Sequence, residues 1–129
     1  MSPPFRILVV EDEPVIRELV QGLLSESDVH VECAQTGAEG LKLARTQAFD
    51  LILLDVVLPQ LDGITVCRML KADVSTSKVP LHMLTGKAKK ADVEVAMKAG
   101  ADGYIHKPFR GAELMDLVTA LKAKKAAVK

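Results

Sequence analysis

The chain has 129 residues, 49% of them hydrophobic, with seventeen Lys and Arg against seventeen Asp and Glu. That length suits one domain with a substantial core and leaves no room for a second, and the balanced charge gives no general field to draw the chain to nucleic acid or an acidic membrane. Met1-Ser2-Pro3-Pro4 lacks a basic segment ahead of a long apolar stretch, and the apolar runs are strand-sized and broken by charges, so neither a signal peptide nor a spanning helix is expected and the chain reads as cytoplasmic.

Strand-like and helix-like runs alternate along the chain, the sign of a parallel sheet covered on both faces. Arg6 to Val10 is the first strand-like run. Pro14 suits a first helical position, and Val15, Ile16, Leu19, Val20, Leu23 and Leu24 follow at helical spacing. Val29 to Ala34 alternates as a second strand, and Thr36 with Glu39 three residues later is a capping box that opens a helix through Leu41 and Ala44 toward Thr46. Leu51 to Leu54 is an unbroken apolar run, as in a central strand buried on both sides. A third helix is expected from about Gly63 to Lys71, with Ile64, Cys67 and Leu70 inward.

The Asp73 to Lys78 stretch, rich in Ser and Thr, reads as an exposed loop. Pro80 opens a fourth strand to Leu84, and Ala91 to Ala99 a fourth helix, with Gly100 placed to end it in a left-handed conformation. Gly103 to His106 is a short fifth strand, and Leu114, Leu117, Val118 and Leu121 mark one face of a last helix. The Lys- and Ala-rich residues 122–129 read as a frayed helix end or the start of a linker. A nucleic-acid arm is the sharper alternative, disfavoured because the stretch is short and has no aromatic residue. Cys33 and Cys67 are too few and too far apart for a disulfide framework or a zinc site, and read as two reduced, largely buried thiols.

Four of these strands run into polar groups of different kinds: Glu11-Asp12, Asp55, Thr85 and Lys107. In an open α/β sheet, ligands bind beyond the carboxyl ends of the strands, so carboxylates, a hydroxyl and an ammonium would converge there on one small site. Such a set suits a divalent cation and a phosphoryl group. Three carboxylates about 5 Å apart repel by roughly 3 kcal/mol per pair at an effective dielectric near 20, a conflict that a bound cation removes. An oxygen-only ligand set favours magnesium over zinc.

Glu11-Asp12 after the first strand, Asp55 with Pro59 and Asp62-Gly63 behind it, Thr85-Gly86, and Lys107-Pro108-Phe109 together resemble the receiver domain of bacterial two-component response regulators, the chemotaxis regulators among them. The likeness covers Arg6 to about Leu121. It implies a single receiver domain over 1–129, with a flavodoxin-like, doubly wound α/β sheet of five parallel strands in the order 2-1-3-4-5 and five helices. It implies Mg²⁺ held by Glu11, Asp12, Asp55 and the backbone carbonyl of Val57, with Asp55 accepting a phosphoryl group from a phosphohistidine of a sensor histidine kinase or phosphotransfer protein. Thr85 and Lys107 would respond to the phosphate, and Tyr104 would turn inward and alter the face made by the fourth helix, fifth strand and fifth helix.

On this reading the chain is a phosphorylation-operated switch that catalyses only its own phosphorylation and dephosphorylation. It would act on a downstream protein effector, without direct nucleic-acid or membrane contact, as a monomer or a phosphorylation-dependent dimer. It is either a stand-alone regulator or a receiver fragment of a longer regulator or hybrid kinase. An aspartate-nucleophile phosphatase is the enzymatic alternative, but its pattern has a second aspartate two residues after the first, where this chain has Val57. A flavodoxin-like cofactor carrier needs a Ser-, Thr- or Gly-rich phosphate loop where this chain has Glu11-Asp12-Glu13.

Other residues read more plainly or depart from the pattern. Lys87, Lys89 and Lys90 form a basic helix entrance beside the expected output face, and His30 and His106 look exposed. His82 stands within the fourth strand, where receivers usually carry an apolar residue, so it must find a partner or stay neutral. Val57 and Lys87 occupy the places that tune acyl-phosphate lifetime in the family. An apolar Val57 orients no attacking water, which implies a long-lived phosphorylated form.

Overall fold

The computed structural model describes residues 3–25, 28–86, 90–107 and 110–127. Five strands and five helices alternate: β1 (Phe5–Val10), α1 (Pro14–Leu23), β2 (Val29–Ala34), α2 (Gly37–Thr46), β3 (Leu51–Asp55), α3 (Gly63–Ala72), β4 (Leu81–Thr85), α4 (Lys90–Lys98), β5 (Gly103–His106) and α5 (Gly111–Ala127). The strands form one parallel sheet in the order β2-β1-β3-β4-β5. Among the described residues, no helix is long and apolar enough to cross a membrane.

Side chains alternate across the sheet and so divide the apolar residues between two cores. Leu8, Val10, Ile52, Leu54, Leu81 and Met83 meet α2, α3 and α4 through Leu41, Cys67, Leu70 and Ala96. Ile7, Val9, Leu51, Leu53 and Leu84 meet α1 and α5 through Val20, Leu24, Leu114 and Val118. The middle strands are buried on both faces, which is why they read as unbroken apolar runs. Each fully buried aliphatic side chain contributes about 1.5–3 kcal/mol relative to exposure.

Local signals set the helix limits. Thr36 Oγ1 accepts the Glu39 N–H at 3.1 Å, while the Glu39 carboxylate reaches the Gln35 N–H at 3.4 Å, so the reciprocal arm of the expected capping box closes one residue earlier. Gly100 has φ +105°, and the bonds from Gly100 N to Met97 O and from Ala101 N to Ala96 O complete a Schellman stop for α4. Residues 122–127 form the last turns of α5, tied down by Lys122 to Asp28 at 2.9 Å and Lys125 to Asp50 at 3.0 Å. The stretch expected as a frayed end or the start of a linker is helical through Ala127.

Some expectations need correction. Val15 and Leu19 are exposed, so the apolar stripe of α1 is narrower than its spacing indicated. The loop after α3 is not wholly exposed, because Thr76 is buried and its hydroxyl donates to the Leu70 carbonyl at 2.6 Å. His106 is half-buried and packs edge-on against Tyr104 with ring centroids 5.1 Å apart, whereas His30 is exposed beside Glu32. Cys67 is buried, and burial pushes its thiol up to about 11, while Cys33 is only half-buried. Lys87, Lys89, Pro108 and Phe109 lie outside the described residues.

His82 is accommodated by its neighbour in the ladder. It pairs with Gly103, and a Cβ on that glycine would meet the imidazole at 2.6 Å. The ring fills space that the glycine leaves, and burial holds its pKa below the usual histidine range, so it packs as a neutral group.

A polar clamp joins α3 to the edge of the sheet. Lys71 Nζ donates to the carbonyls of Ser77 and Val79 and to Asp102, at 3.2, 2.8 and 2.9 Å, and the same Asp102 oxygen accepts the Leu81 N–H at 2.8 Å. Removing the ammonium while keeping the stem, as in Lys71→Met, leaves these acceptors short of a donor. We expect a loss of ~2 kcal/mol of unfolding free energy by urea denaturation; an unchanged midpoint would show that the clamp contributes nothing.

Candidate functional site

Parallel pairing brings the carboxyl ends of β1, β3, β4 and β5 to one edge, and the polar residues there meet. Glu11 follows β1, with its N–H bonded to the Ala34 carbonyl at 3.0 Å and its carbonyl bonded to Arg17 Nη1 at 2.9 Å. Asp55 ends β3. Its Oδ1 accepts the Val57 N–H at 3.1 Å, and its Oδ2 accepts from Lys107 Nζ at 3.0 Å. Carboxylate oxygens of Glu11, Asp12, Glu13 and Asp55 lie within 4.8 Å of one another.

Two of these acids are buried, Glu11 at 0% exposure and Asp55 at 3%, while Asp12 and Glu13 face solvent. The Lys107 ammonium is the cation among them. It contacts Glu11 and Asp55 directly and lies 3.6 Å from Glu13. Burial pushes the Glu11 carboxyl up to about 8, and the adjacent Asp55 carboxylate adds to the rise, more than Lys107 lowers it. Burial acts to lower the Lys107 pKa, but its bonds to Glu11 and Asp55 outweigh that and raise it. One ammonium thus serves two buried acids, and the raised pKa makes Glu11 the acid that favours a proton.

The backbone behind Asp55 is shaped by close approach. A Cβ on Gly63 would stand 1.9 Å from the Asp55 carbonyl oxygen, so only glycine lets the start of α3 come this near the end of β3. Gly63 N–H bonds the Val56 carbonyl at 3.0 Å, and Asp62 caps the helix through the Thr65 N–H at 2.9 Å. Gln60 turns the loop with φ +67°. The Asp62-Gly63 pair therefore fixes the path of the loop that carries Val57, whose side chain is 71% exposed.

The remaining sequence-derived residues sit one step away. Thr85 is buried at the end of β4, and its carbonyl accepts the Lys107 N–H at 2.7 Å, which couples the two strand ends. Thr85 also lines a narrow apolar crevice with Val56, Met83, Ala96 and Tyr104, too tight for a water molecule. Tyr104 is 42% exposed and borders that crevice rather than the acidic cluster. The structure thus unites Glu11, Asp12, Asp55 and Lys107, sets Thr85 at the adjoining strand end, and leaves Tyr104 on the far side of the crevice that Thr85 lines. Glu13 was missed as a member. Its place directly after Glu11-Asp12, in the turn before Pro14, was the available signal.

The donor set is all oxygen and partly solvent-facing, which fits a hard cation such as Mg²⁺ that retains water. The buried Glu11, whose pKa is raised, is the group that a divalent ion would relieve.

Comparisons with known proteins agree with this geometry. The profile of the family described as Response regulator receiver domain matches residues 7–119. The chain is 40% identical over 121 residues to the transcriptional regulatory protein CseB of Streptomyces coelicolor, covering 94% of this chain and 50% of that protein. It is 41% identical over 115 residues to the DNA-binding response regulator MtrA of Mycolicibacterium smegmatis, covering 89% of this chain and 49% of that one. The chain therefore spans about half the length of these relatives. The receiver domain of a sensor histidine kinase from Pseudomonas aeruginosa, solved with a magnesium ion in its active site cleft, superimposes with a TM-score of 0.84 at 33% identity, over 92% of this chain and 97% of that domain. The expected absence of nucleic-acid contact finds no support here, since MtrA is named as DNA-binding.

The protonated Glu11 has a signature in stability. Its folded-state pKa of about 8 lies above the ordinary 4.5, so the folded state binds the extra proton and its contribution is complete below the ordinary value and lost as pH rises through the folded one. In chelator, Tm should fall as pH goes from 5 to 8 and beyond. Stabilisation by Mg²⁺ should grow over the same range, and Glu11→Gln should flatten the chelator profile. A wild-type profile that rises across this window would contradict the assignment.

Proposed function

Because this chain belongs to the response regulator receiver domain family, we propose that it is a phosphorylation-operated signalling switch in which Asp55 accepts a phosphoryl group from the phosphohistidine of a sensor histidine kinase or phosphotransfer protein. The observation that carries this reading is the meeting of buried Asp55 with Glu11 and Lys107 at the carboxyl edge of the sheet. In the transfer, an Asp55 carboxylate oxygen forms a P–O bond as the P–N bond breaks, and the electron pair stays on the donor imidazole. Catalysis of such a step rests on positioning and charge neutralisation.

Glu11, Asp12 and Asp55, with the Val57 carbonyl, would hold Mg²⁺, and Glu13 is near enough to take part. When bound, the ion supplies positive charge against the oxygens of the transferred group. Lys107 releases its contact with the Asp55 oxygen and turns to a phosphoryl oxygen, a move within reach of its single ammonium. The group left on Asp55 has more negative charge and more acceptor oxygens than the carboxylate it replaces. The Thr85 hydroxyl is drawn toward it, with the loop after β4.

Motion of Thr85 opens the crevice it shares with Tyr104, and the tyrosine turns inward from its present exposed position. The α4, β5 and α5 face then changes, and a downstream protein reads it. Dimerisation of the phosphorylated form through this face is part of the same proposal. The half-length match to named transcriptional and DNA-binding regulators supports the variant in which the receiver works within a longer regulator.

Incubation with Mg²⁺ and acetyl phosphate, followed by intact mass measurement, should show one added phosphoryl group in wild type and none in Asp55→Asn. Modification that persists in Asp55→Asn would overturn the assignment. Since exposed, apolar Val57 cannot orient a water molecule, the acyl phosphate should have a half-life on the order of minutes or longer. Decay within seconds would contradict this.

A further inference from the structure

At the opposite end of the strands from the acidic cluster, an open cavity of about 450 Å³ lies beneath the sheet. It is bordered by the start of β1, the segments leading into β3 and β4, and the last turns of α5. Strands of this length span roughly 17–20 Å, so the cavity is a separate place and owes nothing to the phosphotransfer reading. Its size falls within the roughly 300–1,000 Å³ of small-molecule sites.

Its walls are apolar and held in place. Phe5, Phe49, Val79, Pro80 and Leu121 supply them. The Arg6 guanidinium stands 5.1 Å from the centroid of the Phe49 ring and the Lys125 ammonium 5.9 Å from that of Phe5. These cation contacts and the packing of both rings stiffen the surface before any ligand arrives.

Its charges are one-sided. Lys78, Lys124 and Lys125 line it against a single carboxylate, Asp50. That carboxylate is already engaged, by the Arg6 N–H at 2.8 Å and by Lys125 at 3.0 Å. Lys78 and Lys124 have no ion-pair or hydrogen-bond partner among the described residues. Two uncommitted, exposed ammonium groups thus border a cavity whose accessible apolar lining is Val79, Pro80 and Leu121.

We propose that this cavity binds a small amphipathic anion, with a flat apolar body against the half-buried Val79, Pro80 and Leu121 and an anionic oxygen head toward Lys78 and Lys124. The volume favours a small molecule over a protein segment, and the surplus of ammonium groups favours an anion over a neutral ligand of the same shape.

The test is an ¹H–¹⁵N NMR titration of the full chain with 1-naphthoate, and in parallel with neutral 1-naphthalenemethanol and an acidic hexapeptide. Saturable shifts should be confined to amides around Phe49, Asp50, Val79 and the last turns of α5. The neutral analogue should bind several-fold to about tenfold more weakly, and the double variant Lys78→Ala/Lys124→Ala, which alters only exposed side chains, should lose a similar factor for naphthoate while retaining affinity for the neutral compound. Equal affinity for the two naphthyl compounds, shifts that gather elsewhere or never saturate, or binding of the peptide alone would overturn the proposal.

Discussion

The constraint on which the site depends is a shortage of positive charge: the Lys107 ammonium lies between Glu11 and Asp55, both buried, and cannot neutralise two carboxylates at once. Removing ionised carboxylates from water costs several kcal/mol each unless they are paired. The fold meets the shortage with a proton on Glu11, whose pKa burial has moved to about 8. A site in this condition is poised for a second cation.

The fold makes this concentration of charge possible by spending its apolar residues on two cores and leaving the sheet's carboxyl edge to polar ones. Ile7 to Val10 of β1 and Leu51 to Leu54 of β3 are buried up to the strand ends, so Glu11 and Asp55 stand on rigid supports. Gly63 lets α3 press on the end of β3, and the Lys107 N–H to Thr85 carbonyl bond ties β5 to β4. Asp55, Lys107, Thr85 and the crevice beside Tyr104 are thus linked by consecutive contacts.

Much of this was legible in the chain because period and length are strong signals for parallel α/β sheets. Unbroken apolar runs such as Leu51 to Leu54 marked the middle strands, and the polar residues ending them marked the edge where Glu11, Asp12, Asp55 and Lys107 meet. What stayed hidden depends on partners distant in sequence. Residues 122–127 read as a tail since nothing local reveals Asp28 and Asp50 waiting for Lys122 and Lys125. His82 looked anomalous until its neighbour across the ladder proved to be a glycine. Thr76 looked exposed by composition, yet its hydroxyl caps the Leu70 carbonyl inside the fold. Glu13 was given no role, and the turn before Pro14 brings it to within 3.6 Å of Lys107.

If a proton on Glu11 stands in for the missing cation, binding of Mg²⁺ must expel it. Titration calorimetry of Mg²⁺ into the metal-free protein at pH 7, repeated in buffers of different ionisation enthalpy, counts the protons released. The account predicts about one proton per bound ion at pH 7, declining toward none well above pH 8. Binding that releases no proton at pH 7 would contradict it.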